Sequence, residues 1–247
     1  DEWIALARGA GMNAFLITAK HHDGFCMFDT KSTEYKITNT PFGRDIMAEL
    51  AAACRKHGVK LHFYYSILDW PHPDYLDRQD AYTKYYQGHI RELCTNYGEL
   101  GGILFDGYWP SNSVGTPGFI PGKQWDHKGT YDLIRSLQPD AVITNNHHIA
   151  PLAGEDYQVW ELDMPGENAI VKNNVTTPSS LPHVTWLTAS DGWSFSTSDR
   201  NFKSVEYLAG HLRECAERNT YLFLNFAPAP DGTLQPEEVA ILKGLKR

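Results

Sequence analysis

The side chains in this sequence that could carry chemistry follow short apolar segments. The stretch "AKHHDGFCMFDT" places His21, His22 and Asp23 directly after an apolar run, and "GGILFDGYW" places Asp106 after another one. A packed core has no use for unpaired imidazoles and carboxylates, so these residues either bind a ligand or hold a loop together. The pattern indicates one polar site to which several segments contribute.

Asp106 is the sharpest candidate for a catalytic group. It is followed by Gly107, Tyr108 and Trp109. A carboxylate beside a glycine and two aromatic rings suits a partly buried anion that lies next to a flat ligand. The alternative is that Asp106 caps a helix or binds loop amides.

The histidine pair allows three interpretations: binding of ligand hydroxyls, metal ligation, or a structural network. If strand geometry continued through His21 and His22, their side chains would point to opposite sides and only one would face a pocket squarely. The sequence has 11 histidines but no HExxH, and its second pair, His147 and His148, belongs to another loop. A metal site usually needs three protein ligands in a definite geometry.

Aromatic residues recur beside these polar groups. "YYSILDW" ends at Trp70, and "DGWSF" contains Trp193 and Phe195. A single aromatic residue belongs more often to a core than to a cleft. Aromatic walls combined with imidazoles and carboxylates, however, are what a carbohydrate site requires. As a set, the residues favour a sugar-binding cleft.

The elements that must position these residues alternate between strand and helix. Apolar periodicity predicts strands at 13–20, 59–66, 101–108, 141–146, 156–163, 184–190 and 220–228. Helices are predicted at 1–11, 45–58, 81–98, 129–139 and 204–219, with a last one opening near Pro236. This order predicts a parallel α/β sheet covered on both faces, with the site at the carboxyl ends of the strands. About six or seven strands predict an incomplete (β/α) TIM-type barrel.

Size and charge narrow the class of protein. The chain has 247 residues and a net charge of −8, which fits one domain and disfavours nucleic acid or an anionic membrane as partner. No apolar run is long enough to span a membrane, and neither a GxGxxG nor a P-loop motif is present. Four cysteines without CxxC spacing, together with the lack of a signal peptide, favour the cytoplasm.

Five segments resemble the α-L-fucosidases of glycoside hydrolase family 29, in that family's order. They are "AKHHDGFCMFDT", "RDIMAELAAACRKHGVKLHFYYSILDW", "ELCTNYGELGGILFDGYW", "YDLIRSLQPDAVITNN" and "LFLNFAPAPDGTLQPE". The resemblance implies a retaining enzyme, free of metal and organic cofactor, that removes terminal α-L-fucosyl groups from fucosylated glycans or fucosides. It also allows transfucosylation.

The same resemblance implies roles for individual residues. Asp106 falls on the family's nucleophile, and His21, His22 and Tyr64 fall on sugar-binding positions. Trp193 or Phe195 is expected beside the methyl group of the sugar. Two further aromatic residues at strand ends, Trp70 and Trp109, complete the expected walls. Where many relatives carry an arginine, this chain has "NNHH", so His147 is expected to make a neutral sugar contact.

The general acid/base is expected among three glutamates of "PLAGEDYQVWELDMPGEN". Glu155 is the first choice, because it lies on the loop that follows the next strand after Asp106. Glu161 is the second choice, since its "VWE" context is strand-like, and Glu167 lies in a Pro-Gly turn. The partner of Asp106 should lie about 5–5.5 Å away, as a retaining pair requires.

The front of the chain departs from the resemblance. Family members usually begin with βα units that reach the sugar and that are absent here, and no C-terminal β-sandwich follows the single domain of residues 1–247. Exposed sheet edges predict a homo-oligomer if this is the whole chain. Two alternatives to hydrolysis stay open: a weakly active or inactive fucose-binding relative, and a metal-dependent barrel hydrolase using His21 and His22.

Overall fold

The computed structural model describes residues 1–109, 125–171 and 177–245. Within them the chain alternates between helices and strands. The helices are α1 (Glu2–Gly9), α2 (Ile46–His57), α3 (Pro73–Asp77), α4 (Gln79–Asn96), α5 (His127–Leu137), α6 (Val205–Glu217) and α7 (Pro236–Gly244). The strands are β1 (Ala14–Lys20), β2 (Lys60–Ser66), β3 (Gly102–Asp106), β4 (Val142–Asn145), β5 (Gln158–Glu161), β6 (His183–Thr188) and β7 (Thr220–Asn225), and a short 3₁₀ helix covers Ile37–Asn39.

The strands form two parallel sheets, in the orders β1-β2-β3-β4 and β5-β6-β7. Hydrogen bonds at the end of β4 link the two sheets. The backbone N–H of Asp156 donates to the carbonyl of Ile143 at 2.8 Å, and the Thr144 hydroxyl donates to the carbonyl of Tyr157 at 2.6 Å. The predicted α/β architecture with parallel strands is therefore confirmed, and all carboxyl ends within each sheet lie at one edge.

Both faces of the strands are covered, which explains their nearly continuous apolar sequences. One large core packs α2, α4 and α5 against β2 and β3, and includes Met47, Ile90 and Phe63. A second core joins α6 and α7 to β6 through Leu208, Ile241 and Leu187. The opposite, inner face forms a smaller cluster of Tyr64, Leu104, Tyr157, Val159 and Val184.

Helix ends follow the local signals in the sequence. The Asp45 carboxylate accepts hydrogen bonds from the backbone N–H groups of Met47 and Ala48, which α2 leaves unpaired at its start. Gly58 ends that helix with a left-handed φ of 64°. Pro236 occupies the first turn of α7, where its missing N–H costs nothing.

The structure adds one helix that periodicity did not predict. The proline-rich loop after β2 contains α3, whose start is capped by the His72 side chain. With five residues it is too short to show apolar periodicity, so only its proline marks it. Among the helices of the described residues, none has the length and apolar character needed to cross a membrane.

The first and last helices meet on the outside of the fold. The Trp3 indole N–H donates to the carbonyl of Gly232 at 2.8 Å. In the described part of the chain, β1 and β7 each pair with one neighbouring strand. Most of β1 is half-buried, and Tyr221 of β7 is 68% exposed.

Candidate active site

Asp106 lies at the end of β3 and is buried, with 6% of its surface exposed. Its two carboxylate oxygens each receive a hydrogen bond. The Tyr64 hydroxyl donates to Oδ2 at 2.5 Å, and the backbone N–H of Gly107 donates to Oδ1 at 2.7 Å. The arrangement orients the carboxylate toward the carboxyl ends of the neighbouring strands.

Gly107 is required by the turn that follows Asp106. Its φ is +85°, a conformation that side chains with a Cβ rarely adopt. A Cβ at this position would also lie 2.6 Å from Cβ of Leu68 and 2.8 Å from the Ser66 hydroxyl. The glycine of the "FDG" segment thus lets the chain turn beside β2 while its own N–H holds the carboxylate.

The pKa of Asp106 is raised to about 7, first by burial and then by the nearby charge of Glu161. Hydrogen bonds from Tyr64, Gly107 and Asn146 oppose this rise, because each of them favours the ionised form. The site therefore contains two carboxyl groups that affect each other, and one of them is held by three donors.

Both histidines of the pair line the same pocket. Strand β1 ends at Lys20, so the alternation of side chains stops before the pair begins. The two imidazole rings lie 4.0 Å apart, and the His21 ring stacks on Tyr64 at 5.5 Å. The expectation that only one ring would face the pocket applied to a continuing strand, and the chain turns instead.

His22 is neutral and lies beside Asp106. Burial lowers its pKa to about 3, and its Nε2 lies 3.9 Å from Oδ2 of Asp106. Its Nδ1 lies 2.6 Å from the Ser66 hydroxyl, which is also 3.1 Å from the carbonyl of Leu68. One ring nitrogen therefore contacts Ser66, and the other faces the carboxylate.

A buried ion pair lies next to the histidine pair in the chain. The Lys20 ammonium donates to Asp69 and to the carbonyl of Leu68, both at 3.1 Å, and Lys20 is fully buried. The backbone N–H of Trp70 donates to the carbonyl of His22 at 2.9 Å. The loops that follow β1 and β2 are thereby joined into one unit.

Glu155 belongs to a buried hydrogen-bond network of its own. Its carboxylate accepts from the Tyr131 hydroxyl at 2.8 Å and from the backbone N–H of Leu152 at 3.1 Å. His147 lies 3.1 Å from both of its oxygens. Glu155 is 7% exposed and His147 is 2% exposed. In this network the two residues hold together the loop that precedes β5.

Glu161 is coupled to Asp106 through one amide. The Asn146 side-chain N–H donates to Oε2 of Glu161 at 2.8 Å, and the same side chain bonds Asp106. Nε2 of His148 lies 3.5 Å from the same Glu161 oxygen.

The third glutamate lies elsewhere. Glu167 forms an ion pair at 2.9 Å with Arg218, the residue that ends α6, and both side chains are partly exposed.

Aromatic rings form the walls of the pocket. The edge of Trp109 contacts His22 at 5.4 Å, and Trp70 lies 5.6 Å from the same ring. On the other side, Trp186 lies 5.9 Å from Tyr64 and 4.9 Å from Trp193. These ring distances place Trp70, Trp109 and Trp193 around the pocket of Asp106.

Phe195 follows on the same loop as Trp193 and is half-buried.

Several polar atoms at the site have no protein partner among the described residues. They are the indole nitrogen of Trp109 and the side-chain carbonyl oxygens of Asn145 and Asn146. Buried polar atoms normally pair, so these atoms are suited to the hydroxyl groups of a ligand. In the described ranges, no group of three or more His, Cys, Asp or Glu side chains is arranged to hold a metal ion.

Two site residues were not among the sequence candidates: Ser66 and Trp186. Both lie in a predicted strand, which was the one signal available. Asn146 belongs to the "NNHH" segment, where neutral sugar contacts were expected. Asn146 stands next to β3 because its backbone N–H donates to the carbonyl of Phe105 at 2.8 Å. That pairing depends on strand register, which cannot be read from the sequence.

Comparison with known proteins decides the family. The family model described as Alpha-L-fucosidase matches residues 1–247. The chain belongs to the α-L-fucosidase family. The tissue α-L-fucosidase of Macaca fascicularis is 34% identical over 96% of this chain and 50% of that protein. The chain thus spans about half the length of the curated family members it matches, as it also does for the plant proteins.

Solved α-L-fucosidase structures share the fold. Isoenzyme 1 from Paenibacillus thiaminolyticus superposes with a TM-score of 0.83 at 32% identity, over 99% of this chain and 61% of that one. AlfC from Lactobacillus casei, in complex with α-L-fucose product, gives a TM-score of 0.79 at 27% identity over 99% and 77%. The predicted resemblance to this family is confirmed.

Proposed function

We propose that this chain carries the catalytic domain of a retaining α-L-fucosidase that hydrolyses terminal α-L-fucosyl groups of glycans and fucosides. The carrying observation is that Asn146 joins Asp106 and Glu161 at the mouth of parallel strands. Family membership supports the proposal, and a family member of the same fold is described as a complex with fucose.

The first step forms a bond between Asp106 and the sugar. A carboxylate oxygen of Asp106 attacks the anomeric carbon, and the bond from that carbon to the leaving-group oxygen breaks. Glu161 donates its proton to that oxygen, so the aglycone departs as an alcohol. The product of the step is a fucosyl ester on Asp106 with inverted configuration.

The second step restores the enzyme. Glu161, now ionised, takes a proton from water while the water oxygen attacks the anomeric carbon and Asp106 departs as the carboxylate. Two inversions give fucose with its original configuration. An alcohol in place of water would give transfucosylation, and a solved relative is described as a fucosyltransferase mutant of AlfC.

This assignment prefers Glu161 over Glu155. The carboxylate oxygens of Glu155 already contact Tyr131, Leu152 and His147, and the side chain is buried. Glu161 shares an amide with the nucleophile and is one of the causes of the raised pKa of Asp106. In this proposal His147 positions a loop and makes no sugar contact.

The remaining residues bind the sugar. The neutral imidazole of His22 suits a fucose hydroxyl, and His21 lies beside it. The indole N–H of Trp109 offers an unused donor. Trp193 and Phe195 are proposed to pack against the methyl group, since a deoxy position needs an apolar wall.

At the level of the domain, we propose that residues 1–247 form a single (β/α) barrel that is incomplete between β1 and β7. The edge groups of both strands are open to pairing in the described residues. A second copy that covers this side would remove two exposed edges, which natural proteins generally avoid.

The catalytic proposal is tested by trapping. A 2-deoxy-2-fluoro-fucosyl fluoride slows both steps but the second one more, so the covalent ester accumulates. We expect a stoichiometric label on Asp106 in peptide mass spectrometry and none in Asp106→Asn. A label on another residue would overturn the assignment of the nucleophile. Fucose binding without label or turnover would favour the inactive fucose-binding alternative.

A further inference from the structure

Two residues beside the proposed acid have an unusual backbone conformation. Leu162, which directly follows Glu161, has a φ of 57°, and His148, on the loop after β4, has a φ of 59°. Among the described non-glycine residues, only Asn219 also has a φ in this left-handed region. Such residues persist where their surroundings hold them, and they are concentrated at functional sites. Two of the three therefore lie at one carboxyl group.

The contact between the loop after β4 and the end of β5 is made by side chains. Nε2 of His148 lies 3.5 Å from Oε2 of Glu161, and the His148 side chain is 6% exposed while that of Glu161 is 22% exposed. The Asn146 amide donates to the same oxygen at 2.8 Å. Within the described residues, no hydrogen bond or ion pair reaches Oε1 of Glu161. The carboxyl group is thus held by one oxygen, and the other is left for a ligand.

The backbone alone gives no reason for a histidine at position 148. Glycine adopts a positive φ without steric cost, and this chain uses it in that way at Gly58 and Gly107. A histidine in this conformation is therefore explained by what its ring contacts. Those contacts include the carboxyl group of Glu161.

The neighbouring histidine has a different partner. His147 lies 3.1 Å from both oxygens of Glu155, whose carboxylate also accepts from the Tyr131 hydroxyl and the backbone N–H of Leu152. That network engages both oxygens of its glutamate. His148 contacts a glutamate that is held by one oxygen in the described residues. The two adjacent histidines therefore hold two carboxyl groups, of which only the second has an oxygen available for a substrate.

We propose that His148 is a positioning residue for the general acid/base. Together with Asn146 it holds Oε2 of Glu161, so that Oε1 is the oxygen that passes the proton. In the first step the O–H bond at Oε1 breaks while the leaving-group oxygen gains that proton, and the charge left on the carboxylate faces a proton on Nε2 of His148. In the second step Oε1 takes a proton from water. The inference rests on the proposed function, because it needs Glu161 as the acid/base.

The dependence of the rate on the leaving group tests this role. His148→Gly removes the ring, and glycine accepts the positive φ at this position. With methyl α-L-fucoside, whose leaving group must be protonated, kcat/KM should fall about 10- to 100-fold, the size of one hydrogen bond to a charged group. With 2-chloro-4-nitrophenyl fucoside, whose phenolate leaves without a proton, kcat/KM should change by no more than about 2-fold. A purely structural role would lower both values alike.

Two further variants complete the comparison. His148→Gln places an amide N–H near the position of Nε2 and should recover part of the loss with methyl fucoside. Asn219→Gly is the matched control, because it makes the same backbone change just before β7, at the opposite end of the strands from Glu161. Both of its kcat/KM values should match those of the wild type. Equal losses for the two substrates in His148→Gly, or no loss with methyl fucoside, would overturn the proposal.

A spectroscopic measurement separates this inference from the proposed function. In long-range proton–nitrogen NMR spectra of histidine-labelled protein, the Nε2 signal that is missing from His148→Gly should have the chemical shift of a protonated nitrogen. It should move in Glu161→Gln and stay in place in Glu167→Gln, whose glutamate pairs with Arg218.

The outcomes are distinct. If the wild type hydrolyses both fucosides while the His148 signal does not respond to Glu161→Gln, the inference is overturned and the activity stands. If the wild type hydrolyses neither fucoside, the proposed function fails and the catalytic role of the contact fails with it, while the NMR signal still shows whether His148 holds Glu161.

Discussion

At the scale of single residues, the proposed mechanism gives different tasks to two carboxyl groups whose surroundings differ. Asp106 receives donors from Tyr64, Gly107 and Asn146, which favour its anion. Glu161 is bonded by the same amide and lies within reach of His148. Two neighbouring carboxyl groups disfavour a double negative charge, and this is the second cause of the raised pKa of Asp106.

Chemical rescue separates the two candidate acid/base residues. Glu161→Ala should reduce hydrolysis of an unactivated fucoside by about 10²- to 10⁴-fold, the usual contribution of a general acid. With azide and an aryl fucoside, this variant should release α-fucosyl azide, because azide attacks the covalent ester without needing a base. Glu155→Ala should give no azide product. The same product from Glu155→Ala alone would restore the first sequence choice.

Removing Asp106 gives the opposite stereochemistry. Asp106→Gly leaves space on the β face, opposite the leaving group, and removes the ester, so azide should attack an α-fucosyl fluoride directly. A single inversion then yields the product of opposite anomeric configuration, which NMR distinguishes. Turnover by Asp106→Gly without azide, at a rate near that of the wild type, would remove Asp106 from the mechanism.

The raised pKa of Asp106 also predicts how stability depends on pH. A group whose folded pKa lies above its unfolded value of 3.8 contributes stability at low pH that is lost as pH rises through about 7. Relative to Asp106→Asn, the free energy of unfolding of the wild type should therefore fall between pH 4 and pH 7, by at most about 4 kcal/mol. Urea unfolding at several pH values measures it.

Glu161→Gln supplies the control for this titration. It removes the second-largest cause of the raised pKa, the nearby carboxylate charge, while keeping the size of the side chain. The pH-dependent loss should therefore end at a lower pH in this variant than in the wild type. A difference between wild type and Asp106→Asn that does not vary with pH would contradict the coupling.

At the scale of elements, the site depends on two loops that a buried ion pair ties together. Lys20 ends β1, and its ammonium reaches Asp69 and Leu68 on the loop after β2. This places His22 and Trp70 in register through one backbone hydrogen bond. Breaking a buried pair leaves an uncompensated charge, which costs far more than losing a pair at the surface.

Lys20→Met should therefore destabilise the protein by about 3–5 kcal/mol, because Asp69 is left buried without its cation. The double variant Lys20→Met with Asp69→Asn should recover part of this loss. Lys60→Met is the matched control: its partner Glu99 is exposed, so it should cost at most about 1 kcal/mol. Urea unfolding compares the three, and equal losses for Lys20 and Lys60 would contradict the argument.

At the scale of the whole molecule, seven parallel strands curve in two sheets whose outer strands, β1 and β7, have one neighbour each in the described residues. Helix α1 and the loop before α7 meet outside them through Trp3 and Gly232. The half-buried side chains of β1 and the exposed Tyr221 mark the side where covering is incomplete. The proposed second copy belongs there.

Light scattering after size exclusion tests that proposal. The expected mass is a multiple of 27.9 kDa, and Tyr221→Asp should reduce it to that of one chain, because the charge would have to be desolvated against the partner. Tyr207→Asp, also on an exposed tyrosine, should leave the mass unchanged. If the wild type still has the mass of a single chain at high protein concentration, the proposal is overturned.

The sequence by itself determined the elements and the family. Apolar runs bounded by glycine and capping residues located every strand, and Asp45, Gly58 and Pro236 marked helix ends, because these signals act within a few residues of the chain. The "FDG" and "HHDG" segments marked Asp106 and the histidine pair. All of these features are local.

Only the tertiary structure decided how residues distant in sequence are paired. Asn146 joins Asp106 to Glu161, Glu155 contacts Tyr131 and His147, and Trp70 lies beside His22. Each of these outcomes depends on strand register and loop direction, which place groups tens of residues apart within a few ångströms. Composition and periodicity record which face a residue occupies, but not which neighbour it meets there.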